Sequence, residues 1–319
     1  MSILQQPSTL HRQKEPLVAA LWFALYLFIV LVIGALFGAW LVRLGAQAES
    51  GFWSDFVGEQ RGDRIMRRVQ TVIAVLLAPL LLKKIGWEGL HDLGWDSMRS
   101  WTTRRRDFYR GWVMGFLAIG LIYAGTLYLD LRQWEPFNAA SWLDAIFYGF
   151  LVTGLGVGIL EETMTRGVLY RSMARCWTPW SAALVSSAVF AYVHFLKASP
   201  ESIELGVFPA MISSLIDGFR SEHHAFQKFV NLFLFGVVLC RMVHHRGDIW
   251  YAVGLHASAV GMIRFVSKLS ERHGDRHPAF GHSAKFDDGW LLTGVLLILI
   301  LGFEIFRSSG RSERRHVHF

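Results

Sequence analysis

Residues 16–42, PLVAALWFALYLFIVLVIGALFGAWLV, run without a single charged or strongly polar side chain. A helix of that length rises about 40 Å, more than the roughly 30 Å hydrocarbon core of a bilayer. In water such a run would expose apolar surface on every side. It is also too long for the apolar core of a signal peptide and lacks a small-residue cleavage site, so it reads as a retained membrane span. Comparable apolar runs recur to the end of the chain, with candidate spans at roughly 17–44, 66–82, 111–129, 141–170, 180–197, 227–243, 249–266 and 289–306. Hydrophobic residues make up 53% of the chain, and they cluster in these blocks instead of alternating along amphipathic elements. The expected fold is all-α: a polytopic transmembrane helical bundle of about eight spans, forming one integral-membrane domain over 1–319.

The net charge of +7 does not indicate a nucleic-acid partner. The basic residues stand in short segments between apolar blocks, with no binding module among them. An even number of spans puts both termini on one side. Assigning that side to the cytoplasm collects Lys83, Lys84, Arg99, Arg104, Arg105, Arg106, Arg110, Arg171, Arg175, Arg241 and Arg246 there, as the positive-inside tendency requires. The outer segments still hold Arg61, Arg64, Arg67 and Arg68 beside a similar number of acids. Residues 85–110 are basic and amphipathic, suited to an anionic inner-leaflet surface with the arginine run 104–106 at the headgroups. The loop 198–226 contains an apolar piece, ELGVFPAMISSLIDGF, that reads as a short or re-entrant helix.

The fourth span carries the chemistry. It ends in GILEETMTRGVLYR, residues 158–171, where two carboxylates and an arginine enter an apolar helix. A charge at mid-bilayer costs at least a few kcal/mol, so such residues are paired or functional. Glu162 and Arg166 stand four apart on one helix face and can pair. Glu161 is turned about 100° away and is left over as a candidate general base. Two histidines also sit in spans: His194 in the fifth and His256 in the seventh. A single histidine on an apolar helix is more often a packing residue than a catalyst. Three ionisable residues on three spans are explained together if spans four, five and seven pack around one point.

EETMTRG resembles the EExxxRG signature of the CAAX-protease and bacteriocin-processing family of intramembrane endopeptidases. FAYVH resembles its FxxxH motif, and HASAV its third, histidine-centred motif. The resemblance covers about residues 140–266. It implies that Glu161 activates water against a scissile carbonyl and that Glu162 holds Arg166. It implies further that His194 orients the water or ligates a metal, and that His256 stabilises the oxyanion. Its substrates would be membrane-anchored or lipidated proteins or peptides in the lipid bilayer. The family pattern has Asn four residues after the third-motif histidine, where this chain has Val260. Asn231 on the sixth span and Ser258 are the candidate substitute donors. Thr165 replaces the aromatic usual before the arginine, a change expected to alter packing.

Glu161, His194 and His256 could hold zinc with a position open for water, but no HExxH pair places two ligands on adjacent turns. A metal-free glutamate-base reaction is preferred, with zinc the competing cofactor. Two other classes compete with a protease. One is a non-catalytic immunity or scaffold protein of the same fold, which Val260 favours; the other is a proton-coupled transporter using the Glu and His residues as a relay. TGLGVG has no strand before it, so Gly154 and Gly158 read as a close helix contact. His223, His224, His244 and His245 read as solvated, and Cys176 and Cys240 as free thiols packed among helices.

Overall fold

The computed structural model describes residues 16–47, 62–87, 89–96, 99–175, 177–196, 199–220, 224–274, 277–282 and 287–315. The chain is an all-α bundle. Its long helices are α1 (Pro16–Gln47), α2 (Gly62–Lys84), α3 (Trp101–Tyr128), α4 (Ala139–Ala174) and α5 (Pro179–Val193). Two shorter ones follow, α6 (Pro200–Leu205) and α7 (Val207–Arg220), in the segment expected to hold one short helix. Then come α8 (Ala225–Arg246), α9 (Trp250–Leu269) and α10 (Trp290–Arg315). Each of the eight expected spans falls on one long helix. Four helical stretches among the described residues are long and apolar enough to cross a membrane unaided: Ala20–Leu41, Trp101–Tyr128, Ala139–Ala174 and Ala225–Arg246.

Local chemistry sets several boundaries. Ser100 caps α3, its hydroxyl accepting from Thr103 N–H, so that helix begins ten residues before the expected span and takes in the arginine run. Thr178 caps α5 in the same way, with Pro179 in its first turn. At its other end α5 stops at Val193, short of the expected residue 197, and His194 lies just beyond it. Besides the helices there is a short antiparallel pair, β1 (Arg132–Trp134) with β2 (Ser270–Arg272). The buried Arg132 side chain donates to Ser270 there, from Nε to the hydroxyl at 2.8 Å.

Helix α9 is the centre of the bundle, packed against α3, α4 and α8. It can be surrounded because its neighbours approach at glycines. A Cβ at Gly111 of α3 would stand 2.9 Å from Leu255 N and closer still to the Tyr251 carbonyl. On α4, a Cβ at Gly154 would be 2.6 Å from Ala257 O, and one at Gly158 3.0 Å from Ala257 N. Small residues at four-residue spacing let membrane helices touch backbone to backbone. Gly111→Val should therefore separate α3 from α9 and destabilise the fold by about 1–3 kcal/mol or more. Thermal unfolding in detergent checks this, and an unchanged midpoint would refute the packing.

One end of the bundle is tied by ion pairs between segments distant in sequence. Arg99 reaches Asp107 at 2.6 Å and Asp248 at 3.0 Å, Arg175 reaches Asp92 at 3.0 Å, and Arg246 reaches Asp107 at 3.5 Å. Burial pushes the Asp248 carboxyl up from its ordinary value, and the Arg99 charge opposes that shift. Cys240 is buried as a free thiol, as expected; Cys176 and His223 lie outside the described residues. Of the other histidines, His224 is exposed as expected, while the solvated reading is corrected for His245, which is half-buried. His245 lies 3.6 Å from Glu304, and His224 stacks on His282 at a 3.9 Å ring separation.

Candidate active site

Helix α4 changes its winding around the two glutamates. Gly156–Glu162 is α-helical, while Phe147–Leu155 before it and Thr163–Tyr170 after it carry i→i+5 hydrogen bonds. Such widened turns are rare and concentrate at functional sites. The pair at the junction divides its labour by direction. The Glu162 side chain is fully buried, whereas that of Glu161 is 32% exposed.

Glu162 is the hub of a buried network. Its Oε1 accepts from Arg166 at 3.0 Å and from His256 Nδ1 at 2.6 Å. Arg166 donates further to Thr165 Oγ1 at 2.6 Å and to the Gly236 carbonyl at 3.4 Å, and it lies 4.2 Å from the Phe190 ring centroid. The Thr165 hydroxyl in turn donates to the Glu161 carbonyl at 2.5 Å. Thr165 is therefore a hydrogen-bonded link between the two glutamates, beyond the packing role expected of it. The Glu162–Arg166 pair follows from helical spacing. The His256–Glu162 bond joins residues far apart in sequence, and no local pattern announces it.

Glu161 meets both histidines. Its Oε2 lies 3.7 Å from His194 Nε2 and 3.8 Å from His256 Nε2, and it has no hydrogen-bond partner. Each ring is oriented from behind. His194 Nδ1 is 2.7 Å from the Phe190 carbonyl, which only accepts, so Nδ1 carries the hydrogen and the Nε2 lone pair of the neutral ring faces Glu161. That bond forms because His194 sits just past the end of α5, where the last carbonyls have no helical partner. His256 Nδ1 is likewise committed to Glu162, which aims its Nε2 at Glu161. Phe190 packs edge-on against both rings.

Glu161 and His194 line a cavity of about 400 Å³ between the α1–α2 hairpin and α4–α5. Its walls are mostly apolar, with Phe23, Leu27, Val30, Met164, Val189 and Val193 among them. This is the size of a small-ligand pocket, with polar groups confined to a few points.

Neither candidate substitute for the missing asparagine is at this point. Asn231 donates to the Asp287 and Gly289 carbonyls, both at 2.9 Å, and accepts from the Thr293 hydroxyl at 2.6 Å. It ties α8 to the start of α10, so its amide donors are already engaged there. Ser258 donates to the Leu255 carbonyl and faces Gly115 of α3. Zinc, if bound, would take Glu161, His194 and His256 as its ligands. Bonds of about 2.0–2.1 Å put tetrahedral zinc ligands about 3.3 Å apart, closer than the 3.7 and 3.8 Å seen here. Among the described residues no three His, Cys, Asp or Glu side chains are grouped to hold a metal ion.

Residues 142–262 match the family model described as type II CAAX prenyl endopeptidase Rce1-like. The matched stretch contains the whole Glu161–Glu162–Arg166–His194–His256 cluster and leaves α1, α2, α3 and α10 outside it. No curated protein and no solved structure matches the chain.

Proposed function

We propose, from the membership of residues 142–262 in the CAAX prenyl endopeptidase-like family, that the protein is an intramembrane endopeptidase acting on membrane-anchored or lipidated proteins. The observation that carries the reading is Glu161 Oε2, free of hydrogen bonds and within 3.8 Å of two histidine nitrogens, on a residue that lines an apolar cavity. A water donating one hydrogen to Glu161 Oε2 and the other to His194 Nε2 would stand about 2.8 Å from each. Glu161 takes its proton as the water oxygen bonds to the scissile carbonyl carbon. The carbonyl oxygen becomes an oxyanion, to which a protonated His256 Nε2 donates while Glu162 offsets the ring's charge. The C–N bond then breaks, and Glu161 returns the proton to the leaving amine. All steps use groups of this chain, with no covalent intermediate and no metal.

In the membrane orientation this implies, the long helices cross the bilayer, and both termini lie on the cytoplasmic side with the arginine-rich end. A lipid-anchored substrate would bring its peptide to an active site that faces apolar cavity walls. The test is cleavage of one peptide sequence, with and without a prenyl anchor, by protein reconstituted in liposomes. Faster cleavage of the anchored peptide, about 10-fold or more, is expected, since anchoring raises its effective concentration. Equal rates for the two would overturn the substrate class. A non-catalytic scaffold is the second reading, and Val260 is the residue that favours it.

A further inference from the structure

The cavity contains a second feature outside the matched segment. Its polar side chains are nearly all committed. Tyr26 gives its hydroxyl to the Ala74 carbonyl, Thr165 to the Glu161 carbonyl, and His194 Nδ1 faces the Phe190 carbonyl. Thr71 also has a partner. Two polar atoms on residues that line the cavity are buried with no hydrogen-bond partner: Glu161 Oε2 and Gln70 Nε2. The first is an acceptor and the second carries two N–H donors. An unpaired buried amide is costly, and native proteins keep few of them.

The position of Gln70 is built. Its side chain lies on α1 where Gly34 leaves room. A Cβ there would collide with Gln70 Cγ and stand 3.3 Å from its Cα. The aliphatic part of the side chain is thus seated on a neighbouring helix, and the residue borders the cavity with its amide nitrogen buried and unbonded. Peptide substrates offer what this amide needs, since every backbone carbonyl is an acceptor. The other lining groups of α1 and α2 have no free donor to give.

We infer that Gln70 is a substrate-binding residue, its carboxamide N–H donating to a backbone carbonyl of the peptide held in the cavity. The inference rests on the endopeptidase reading for the identity of the ligand. It adds a specific role for the α1–α2 hairpin, which the family match does not reach. Gln70 contacts the substrate in the ground state and in the transition state alike, so its loss should appear in KM more than in kcat.

Gln70→Met keeps length and packing on Gly34 but removes both donors. In reconstituted protein it should raise KM for a lipid-anchored peptide about tenfold, with kcat within about twofold. A series of peptides, each with one carbonyl near the cleavage site reduced to methylene, gives a readout that partial misfolding cannot imitate. Wild type should lose about tenfold in kcat/KM at one position, and Gln70→Met should lose nothing more there. Binding of the unmodified peptide to Glu161→Gln protein, alone and combined with Gln70→Met, separates this inference from the catalytic reading. Weaker binding in the double variant supports Gln70 even if wild type cleaves nothing. Unchanged KM and binding in Gln70→Met, or penalties that add at every position, would overturn it.

Discussion

Glu161→Gln should lower the rate of peptide-bond hydrolysis by about 10²–10⁴-fold, the contribution of a positioned general base, while leaving the fold intact. The substitution removes the carboxylate that faces both His194 Nε2 and His256 Nε2. It is nearly isosteric, and Glu161 Oε2 makes no hydrogen bond that the bundle depends on. Its effect should thus fall on kcat, with an unchanged thermal unfolding midpoint as the control. Glutamine can still position a water but cannot accept its proton. A variant that retained wild-type kcat would remove Glu161 from the chemistry.

Arg166→Met should have the opposite profile, with its primary effect on stability. Arg166 and Glu162 are both fully buried, and Arg166 also bonds Thr165 and packs over Phe190. Removing one partner of a buried pair strands the other charge and costs about 3–5 kcal/mol. Glu162→Gln should cost a comparable amount, because it strands the Arg166 charge even though the amide oxygen can still accept from His256 Nδ1. The double variant Glu162→Gln/Arg166→Met should recover part of the loss, because no buried charge is then stranded. Thermal unfolding of the four proteins in detergent measures the coupling. Additive losses would contradict a pair held in low dielectric.

How much of this could be read from residues alone depends on the range of the interaction. The eight long helices follow from apolar block length, which bilayer thickness turns directly into structure. The Glu162–Arg166 pair follows from four-residue spacing, and the Gly154 contact with α9 from its partner Gly158. The motifs singled out Glu161, His194 and His256, and the fold brings them within 3.7–3.8 Å. That convergence depends on how α4, α5 and α9 pack, which no local pattern encodes. α5 ends before its apolar run does, since Phe195 and Leu196 continue that character, and the Phe190 carbonyl is open to His194 only because the helix stops. Asn231 was chosen for its side-chain type and proved to be tied to α10. Nothing in the sequence singles out Gln70, since its unbonded amide nitrogen becomes evident only when α1 and α2 enclose a cavity with Glu161.

The measurement that tests the central claim most directly is peptide-bond cleavage by purified protein in liposomes. The substrate is a lipid-anchored reporter peptide, with wild type beside Glu161→Gln and each assayed with and without a zinc chelator. A glutamate-base endopeptidase predicts product from wild type in both conditions and none from the variant. Product from the variant at the wild-type rate, or product abolished by chelator, would contradict the account.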